Sequence, residues 1–364
     1  MSLQNNNFEY IETSLFNHSH LLDETLKLIE ESFNYFPLGK YHYIEDFYPL
    51  FSSSNRKGNH LLLDSKSSKV IGHIGVLKRF LLVNNHLIPI ALIGGISIHP
   101  DFRKKGLFSV FFNHVLKYYQ DQVAFMTLWS SETSLYSKFG FYEAGIQIQV
   151  GNNPFELSQI DQSNFKLIKT KIINVDETTL NTIKKIYQEY VLKKNYISVY
   201  RSDDDWASLS KISSSDLYLA MQKENIIGYF VVNKGMDLQN IIHEFACVIE
   251  NEDLFFNSLS KFKFWVPYFQ ELFNSIFNKY DSSFLFQASF KIGNLPLLDN
   301  FLYHWTKNKL SISPDGFLLS NLKTMEKGLS VRDKKFWPSL FGPNYLNYSF
   351  SSFQSIHFSG LDSI

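Results

Sequence analysis

Apolar residues in the first hundred positions follow first the spacing of a helix and then the spacing of strands. Residues 24–33 repeat apolar positions along one helical stripe. Three later runs, 60–64, 70–83 and 87–98, are rich in β-branched and aliphatic residues, which favour strands. Asn84-Asn85 between the two long runs indicates a tight hairpin, because asparagine tolerates a positive φ. The pattern predicts a helix followed by three antiparallel strands.

Helical spacing returns after these strands. Apolar residues within 106–120 fall on one wide helix face. The apolar run 123–129 follows closely and predicts a buried strand, which a strand–helix–strand connection makes parallel to the 87–98 strand. A short helix over 133–139 is expected to end at Gly140, because glycine is the usual residue after a helix C-terminus.

The second half of the chain repeats the strand pattern of the first. Residues 71–76 (IGHIGV) have a counterpart in 227–232 (IGYFVV), which is an offset of 156 residues from 71 to 227. Self-similarity at about one domain length indicates a duplication. The elements expected around this counterpart are strands at 217–221, 240–247 and 284–292 and helices at 252–262 and 295–305.

The predicted fold class is therefore α/β with a mixed sheet, arranged as tandem domains. We expect the first domain over 1–150 and the second over 151–322. The remaining residues, 323–364, are rich in aromatic residues and serine and carry few charges. This composition favours a tail that packs back on the body over a solvated linker.

Composition narrows the classes of function. The 364 residues are 45% hydrophobic and 19% charged, which is typical of a globular protein. Lys+Arg and Asp+Glu are both 35, and a net charge of zero gives no overall field to attract nucleic acid or an anionic membrane. The single cysteine, Cys247, excludes a disulfide framework and a zinc site built on several thiolates.

Targeting and membrane signals are missing from the sequence pattern. No apolar window approaches the roughly 18 residues of a membrane span, and the first residues lack the basic and apolar parts of a signal peptide. We therefore expect a soluble, cytoplasmic protein without a membrane or nucleic-acid partner. An oligomer is possible.

The candidate chemistry lies in the turn between the 87–98 strand and the helix that follows. This turn contains Arg103, Lys104, Lys105 and Gly106. Helix N-termini present unpaired N–H groups and a partial positive charge, which bind phosphate oxygens, and glycine permits close approach to the backbone. The turn has neither the Walker pattern nor the glycines of a dinucleotide-binding fingerprint. It predicts another kind of phosphate site, or an ordinary solvated helix cap.

Two motifs at and after this turn resemble the GCN5-related N-acetyltransferase superfamily. The first is Arg103-x-x-Gly106-x-Phe108, with phenylalanine where the family prefers glycine or alanine. The second is a tyrosine ahead of an apolar–glycine–phenylalanine turn, matched by LYSKFGF at 135–141. The resemblance covers about residues 8–150.

Longer forms of both motifs are more specific. HPDFRKKGL at 99–107 and LWSSETSLY at 128–136 are similar to the enhanced intracellular survival branch of that superfamily. Members of this branch carry a second, degenerate acetyltransferase-like domain. The resemblance thus implies two tandem acyl-CoA N-acyltransferase-like domains, of which the second is degenerate.

The resemblance also implies a mechanism in which a primary amine of a small molecule or peptide attacks acetyl-CoA directly. The pantetheine arm pairs with the backbone of 96–98, and N–H groups of about 104–109 hold the pyrophosphate. An N–H near Ile98 polarises the thioester carbonyl, and Tyr136 protonates the leaving thiolate. The cofactor contacts implied in this way are Ile96, Ser97, Ile98, Arg103, Lys104, Lys105, Gly106, Leu107, Phe108, Ser109, Ser131 and Glu132.

The sequence does not decide which residue accepts the proton of the amine. A primary amine is protonated near pH 7 and must lose a proton before it attacks. The candidates are Glu132, His99 and the carboxylate of Ile364, the last through the resemblance to the survival branch. Glu132 also fits a residue that complements a helix dipole, and Tyr136 also fits a core tyrosine.

The second half lacks the phosphate turn. Residues 245–253 (FACVIENED) are acidic and contain no glycine, so no CoA site is expected there. A group of polar residues near this region either walls the substrate cleft or consists of ordinary strand and turn residues: Tyr229, Lys234, Asp237, His243 and Glu244.

No metal site is expected. His73 and His86 lie on predicted strands without the spacing of metal ligands, and the run 203–205 (DDD) fits a helix N-cap.

The sequence therefore predicts an acetyl-CoA-dependent N-acetyltransferase with Tyr136 as general acid. Two alternatives stay open. One is a non-catalytic CoA-binding or scaffold protein. The other is an acyltransferase that uses a longer acyl-CoA, with some of the many aromatic residues lining a tunnel for the chain.

Overall fold

The computed structural model describes residues 2–5, 8–35, 41–151, 165–192, 196–236, 238–252, 255, 263–267, 282–307, 309–320, 329–343 and 355–364. The strands are β1 Ser2–Asn5, β2 Phe8–Ser14, β3 Asn59–Asp64, β4 Val70–Val83, β5 His86–Ile98, β6 Phe125–Leu128, β7 Tyr142–Val150, β8 Phe165–Thr170, β9 Tyr196–Tyr200, β10 Asp216–Gln222, β11 Asn225–Val232, β12 Ile241–Cys247, β13 Lys263–Pro267, β14 Ser282–Ile292, β15 Leu310–Ile312, β16 Leu318–Ser320 and β17 Ser355–Ile356. The helices are α1 Leu22–Ser32, α2 Tyr43–Asp46, α3 Tyr48–Phe51, α4 Leu107–Gln120, α5 Thr133–Ser137, α6 Glu177–Tyr190, α7 Asp203–Leu209, α8 Leu295–Trp305 and α9 Phe336–Phe341.

The first half contains the elements that the apolar pattern predicts. Helix α1 precedes the antiparallel strands β3, β4 and β5. Asn84 and Asn85 form the hairpin between β4 and β5 with φ of 45° and 66°. Strands β1 and β2, which the pattern did not indicate, extend the sheet beyond β3.

Strands β5 and β6 run parallel and separate partway along β5. Their pairing covers Ile90 to Ile93 on β5, and no further pair joins the two strands beyond Ile93 and Leu128. The register between β4 and β5 also shifts there, between His73–Ser97 and Gly75–Gly94. A register shift of this kind is a β-bulge, which re-aims the backbone next to a site. The result is a wedge between β5 and β6.

Helix α4 packs one wide face against this part of the sheet. It begins after Gly106, whose φ of 77° places it in the left-handed region that glycine adopts readily. The apolar face is buried, as the periodicity predicts, through Leu107, Phe111, Phe112, Val115, Leu116 and Tyr119.

The second half repeats this arrangement of strands. Strands β10, β11 and β12 are antiparallel, and β12 then pairs with β13 in parallel, as β5 pairs with β6. The helix expected over 252–262 lies mostly outside the described residues. The predicted strand and helix after it correspond to β14 and α8.

One continuous sheet joins the two halves. Its order runs β1-β2-β3-β4-β5-β6-β14-β7-β13-β12-β11-β10-β8. Strand β14 of the second half pairs with β6, and β7 of the first half pairs with β13, so the halves exchange one strand each. The mixed α/β fold class is confirmed, whereas the division into domains at 150 and 322 stays a prediction.

The described part of the tail packs against the body. Helix α9 buries Phe336 and Trp337 and contacts β7. Strand β17 pairs with β9 in parallel, and after it Phe358, Leu361 and Ile364 are buried. Among the described residues, no helix is both long and apolar enough to cross a membrane.

Candidate active site

A cavity of about 210 Å³ lies where β5 and β6 separate. Its residues come from both halves and from the tail: Phe33, Tyr35, Tyr43, Phe47, Ile93, Gly94, Gly95, Ile96, Trp129, Ser130, Tyr136, Gln147, Lys234, Leu238, Trp265, Gln287, Phe358, Ser359, Gly360, Ser363 and Ile364. Two of the residues predicted to act in catalysis, Tyr136 and Ile364, therefore share one cavity.

The basic turn lies at the end of β5. The Nε atom of Arg103 donates to the carbonyl of Ile98 at 2.8 Å, and its Nη2 lies 3.4 Å from the hydroxyl oxygen of Ser32. These contacts tie the turn to β5 and to the end of α1. Lys104 and Lys105 are exposed, and Lys104 has a φ of 60°. The turn thus presents two solvent-facing positive charges beside the wedge.

The start of α4 adds backbone donors to this turn. The N–H of Val110 makes the first bond of the helix, to the carbonyl of Gly106 at 3.3 Å. The N–H groups of Leu107, Phe108 and Ser109 precede that bond and have no acceptor within the helix. A positive helix end with free donors suits a phosphate group.

Phe108 stands where the acetyltransferase motif prefers a small residue, and its larger side chain packs against other aromatic rings. Its ring stacks on Phe112 with centroids 5.2 Å apart. It also meets the edges of Phe139 at 5.5 Å and Tyr136 at 6.2 Å. The side chain therefore completes an aromatic cluster between α4 and α5 and helps to hold Tyr136.

Tyr136 is well placed to remain a proton donor. It is buried, and burial, with a smaller contribution from the charge of Glu132, raises its pKa to about 12. Its hydroxyl makes no hydrogen bond to another described residue, whereas its ring packs on Phe112 and Phe141. A neutral tyrosine hydroxyl at the cavity wall can donate a proton to a leaving group at any pH near neutral.

Ile364 lies against the glycine pair of β5. A Cβ atom placed on Gly94 would come within 2.5 Å of both the carbonyl carbon and the oxygen of Ile364. Real Cβ contacts are longer than this, so only glycine at this position leaves room for the end of the tail. The sequence signal for this approach is Gly94-Gly95 inside an otherwise β-branched and aliphatic strand.

His73 and Asn59 support the bulge. His73 Nδ1 donates to the carbonyl of Gly95 at 2.7 Å, and its Nε2 lies 3.1 Å from Asn59 Oδ1. Gly95 has a φ of 61°, which glycine allows. Burial lowers the pKa of His73 to about 4. His73 therefore has a structural role, and the bulge depends on it.

Several residues predicted for the site lie outside the cavity lining. Ser131 and Glu132 are exposed, and Glu132 is the N-cap residue of α5. The side chain of His99 is turned to its own loop, where Nδ1 accepts from the N–H of Asp101 at 3.3 Å. Ser97 and Ile98 lie farther along β5 than the cavity, which is lined by 93–96. Of the three candidate bases, Ile364 lies in the cavity.

The polar residues singled out in the second half divide into two groups. Lys234 lines the cavity. Tyr229, His243 and Glu244 are buried in the second half, and the hydroxyl of Tyr229 donates to Glu244 Oε1 at 2.9 Å. Asp237 lies outside the described residues.

Most of the aromatic residues that form the cavity wall were not named from the sequence as site residues. Phe33 is the residue directly after α1. Tyr35, Tyr43 and Phe47 come from the polar, aromatic stretch that follows, and Trp265 comes from β13. Nothing in their spacing marks them, because they meet through contacts between distant parts of the chain. Within the described residues, no group of three or more histidine, cysteine or acidic side chains could hold a metal ion.

Residues 18–144 match a family model described as an acetyltransferase (GNAT) domain. The structure is similar to a GCN5-related N-acetyltransferase from Anabaena variabilis ATCC 29413, with a TM-score of 0.59 and 15% identity, covering 88% of this chain and 86% of that chain. It is also similar to a GCN5-related N-acetyltransferase from Kribbella flavida, with a TM-score of 0.59 and 13% identity, covering 81% and 74%.

A third similar structure spans almost the whole of both chains. It is Eis1 from Mycobacterium abscessus, with a TM-score of 0.57 and 13% identity, covering 96% of this chain and 99% of that chain. Among curated proteins, no significant sequence match is found. The expected GCN5-related N-acetyltransferase fold, with the arrangement of the enhanced intracellular survival branch, is confirmed.

Proposed function

We propose that the chain is an N-acetyltransferase that moves an acetyl group from acetyl-CoA to a primary amine by direct attack in a ternary complex. The observation that carries this proposal is the meeting of Tyr136, Ile364 and the bulged glycines of β5 in one cavity, beside a basic helix N-terminus.

The cofactor would lie along the wedge. Backbone of 94–98, which has no strand partner on the β6 side, would pair with the pantetheine arm. The free N–H groups at the start of α4, with Lys104 and Lys105, would hold the pyrophosphate. Arg103 would fix the turn through its bond to Ile98 rather than face the cofactor.

The transfer itself breaks one bond and forms one. The amine nitrogen attacks the thioester carbonyl carbon, a C–N bond forms and the C–S bond breaks. A backbone N–H of the 94–96 bulge would stabilise the oxyanion, a role worth about 3 kcal/mol per donor in other enzymes. The Tyr136 hydroxyl would give its proton to the CoA thiolate and regain one from solvent.

The amine must also lose a proton. We propose the carboxylate of Ile364 as the acceptor, because it lies in the cavity whereas Glu132 and His99 do not line it. The carboxylate would take the first proton from the ammonium group, directly or through one water molecule. The second proton, which leaves nitrogen after the C–N bond forms, would pass to solvent.

A short acyl group fits the cavity best. Its volume of about 210 Å³ must hold both the acyl group and the reacting part of the amine. Sites for drug-sized ligands are larger, at roughly 300–1,000 Å³. This comparison favours acetyl-CoA over a longer acyl-CoA.

The test is Tyr136→Phe assayed with acetyl-CoA and a panel of primary amines. We expect kcat to fall by about 10²-fold or more, with acetyl-CoA affinity nearly unchanged, because the hydroxyl acts on the leaving group. Tyr118→Phe, which alters an exposed tyrosine on α4, is the matched control and should leave kcat unchanged.

Two results would contradict the proposal. Equal turnover by Tyr136→Phe would remove the general acid. Tight acetyl-CoA binding by the unsubstituted protein without acetylation of any amine would favour the non-catalytic CoA-binding alternative.

A further inference from the structure

We propose that the second half of the chain positions the C-terminal segment, residues 355–364, and thereby sets where Ile364 lies in the cavity. This inference rests on the proposed acetyl transfer at that cavity. It makes Arg201 and Lys234 positioning residues, which act on the reaction through the segment that they hold.

A buried ion cluster fastens the segment at Asp362. Arg201 Nη1 and Nη2 donate to the two carboxylate oxygens of Glu244 at 2.8 and 2.5 Å. Arg201 Nε and Nη2 donate to the two oxygens of Asp362 at 3.1 and 2.8 Å. The side chains of Arg201 and Asp362 are fully buried and that of Glu244 is nearly so. One guanidinium therefore links β12 to the C-terminal segment.

The cluster has further partners that fix its geometry. The Ser359 hydroxyl donates to Glu244 Oε2 at 2.5 Å and lies 3.0 Å from Arg201 Nη2. The guanidinium lies over the rings of Tyr187 at 4.2 Å and Trp206 at 4.8 Å, which adds cation–π attraction. A buried cluster of this kind holds one geometry, because any displacement leaves a desolvated charge without its partner.

Lys234 holds the segment on its cavity side. Its Nζ donates to the carbonyls of Gly360 and Ser363, both at 2.6 Å, and lies 3.1 Å from the Ser363 hydroxyl. These three contacts use the three N–H bonds of the ammonium group. Lys234 thus lines the cavity without a free donor for a substrate.

Backbone hydrogen bonds also attach the C-terminal segment to the second half. The N–H of His357 donates to the carbonyl of Ile197 at 2.8 Å, and the N–H of Gly360 donates to the carbonyl of His243 at 3.0 Å. Two residues beyond Asp362, Ile364 reaches Gly94 of the first half. The chain between anchor and cavity is too short to absorb a shift, so the anchor sets the position of the end.

The experiment compares Asp362→Ala with Asp176→Ala. Removal of Asp362 leaves Arg201 and Glu244 as a balanced pair, so the second half is expected to stay folded. Asp176 caps α6 through the N–H of Thr179, far from the segment in sequence and contacts, and its loss provides a matched destabilised control. Hydrogen exchange of 355–364 and the steady-state constants are measured for each.

We expect Asp362→Ala to speed hydrogen exchange in 355–364 and to lower kcat by about 10–100-fold with the KM for acetyl-CoA unchanged, because a displacement of about 1 Å can cost 10²-fold. Lys234→Met should act in the same direction, and Asp176→Ala should do neither. If Asp362→Ala does not fold, Lys234→Met gives the result.

Normal exchange and normal kcat in a folded variant would overturn the inference. Faster exchange with normal kcat would show that the segment is held but does not serve the reaction, and would overturn it as well. Absence of turnover in the unsubstituted protein would instead contradict the proposed function, while the exchange measurement still tests the attachment.

A second inference comes from two buried amides in the cavity wall. We propose that the acceptor is an amine with an apolar or aromatic body and one neutral hydrogen-bonding group. The inference rests on the proposed function. Gln147 Nε2 and Gln287 Oε1 are buried without a hydrogen-bond partner in the described part of the chain. Both residues line the cavity, so a turn of the side-chain amides would bring these atoms to a ligand amide or hydroxyl, which supplies both the acceptor and the donor that they lack.

The rest of the wall agrees with such a ligand. It is largely aromatic, and no aspartate or glutamate is among the described lining residues. A polycationic amine would find no side-chain carboxylate there to pair with its extra charges. The aromatic rings instead offer apolar surface for the body of the amine.

Gln147→Leu tests this inference, because leucine removes the amide and keeps similar bulk. Two arylalkylamines are compared, one with an amide or hydroxyl and one without. We expect kcat/KM to fall about 10-fold for the first and to change little for the second. An equal fall for both amines would overturn the inference, as would a preference of the unsubstituted protein for polyamines; failure with every amine would count against the proposed function.

Discussion

The two halves of the molecule contain corresponding strand pairs, β4–β5 and β11–β12, which differ in the side chains that they carry at matching positions. In the first half Gly75 on β4 pairs with Gly94 on β5, and the missing side chain of Gly94 leaves the space that Ile364 occupies. In the second half the repeat places Val231 at the position of Gly75, and its partner on β12 is Glu244. Where the first half leaves space, the second half fills it with a carboxylate.

The turns after these strands differ in the same way. After β5 the chain forms the basic turn with Lys104, Lys105 and Gly106. After β12 it forms a single 3-10 turn over Ile249–Asn251 with Glu250 exposed. An acidic turn repels phosphate, so this turn does not suit the pyrophosphate of CoA. Its strand surface binds the C-terminal segment instead.

The first prediction concerns the stability that both halves and the tail lose when their buried histidines are protonated. Burial lowers the pKa of His60, His73, His243 and His357 to about 4 each. A histidine with a pKa near 6.5 when unfolded then binds protons more readily in the unfolded state, so stability is present above pH 6.5 and is lost as the pH falls toward 4. At pH 5 the loss is roughly 2 kcal/mol per histidine.

Denaturant unfolding at pH 7 and pH 5 measures this loss. His73→Gln should reduce the difference by about one quarter, since it removes one of the four groups. A free energy of unfolding that is equal at the two pH values would contradict buried neutral histidines.

The second prediction concerns the space beside Gly94 that Ile364 occupies. Gly94→Ala places a methyl group where the end of Ile364 lies, so the end must move. We expect kcat/KM to fall by about 10²-fold, because the proton acceptor shifts from the amine. Steady-state kinetics with a thermal melt as control measure this effect. Unchanged kinetics in the folded variant would place the proton acceptor elsewhere.

The third prediction compares the loss of charge from the basic turn with the loss of charge from the turn of the second half. Replacing Lys104 and Lys105 by glutamine should weaken acetyl-CoA binding by about 10-fold, because two charge-assisted contacts are lost. Glu250→Gln in the turn of the second half is the matched control and should leave affinity unchanged. Calorimetry at two salt concentrations measures both, and the difference between the forms should shrink at high salt. Equal affinity in all forms would separate the turn from the cofactor.

The smallest expected effect lies in the second half alone. Asp176→Ala removes the N-cap of α6, where Asp176 Oδ1 accepts from Thr179 at 2.7 Å. We expect the free energy of unfolding to fall by about 1 kcal/mol and kcat to stay unchanged. A large loss of activity would mean that α6 contributes more to the site than its contacts show.

Local patterning predicted most elements of the first half. Helix α4, the hairpin at Asn84-Asn85 and the parallel strand β6 follow from periodicity and turn chemistry. The exchange of β7 and β14 did not follow, because strand pairing between distant segments leaves no local signal. The buried cluster at Arg201 was missed for the same reason, since its carboxylate partners lie more than forty residues away in sequence.

The sequence motifs marked residues that lie near the wedge, and their roles in a site stay predictions. Tyr136 and Gly106 are marked by sequence, and the structure places both beside the wedge. Glu132 and Ser131 share the motif but are exposed, because they lie in the turn that precedes the short helix α5. The aromatic wall depends on the packing of α2 and β13 against the wedge, which no spacing encodes.

Hydrogen exchange with and without saturating acetyl-CoA tests the central difference between the halves most directly. We predict slower exchange at 94–98 and 104–109 and no change at 241–252. Protection in neither region, or protection at 241–252, would contradict the assignment of the cofactor to the first half.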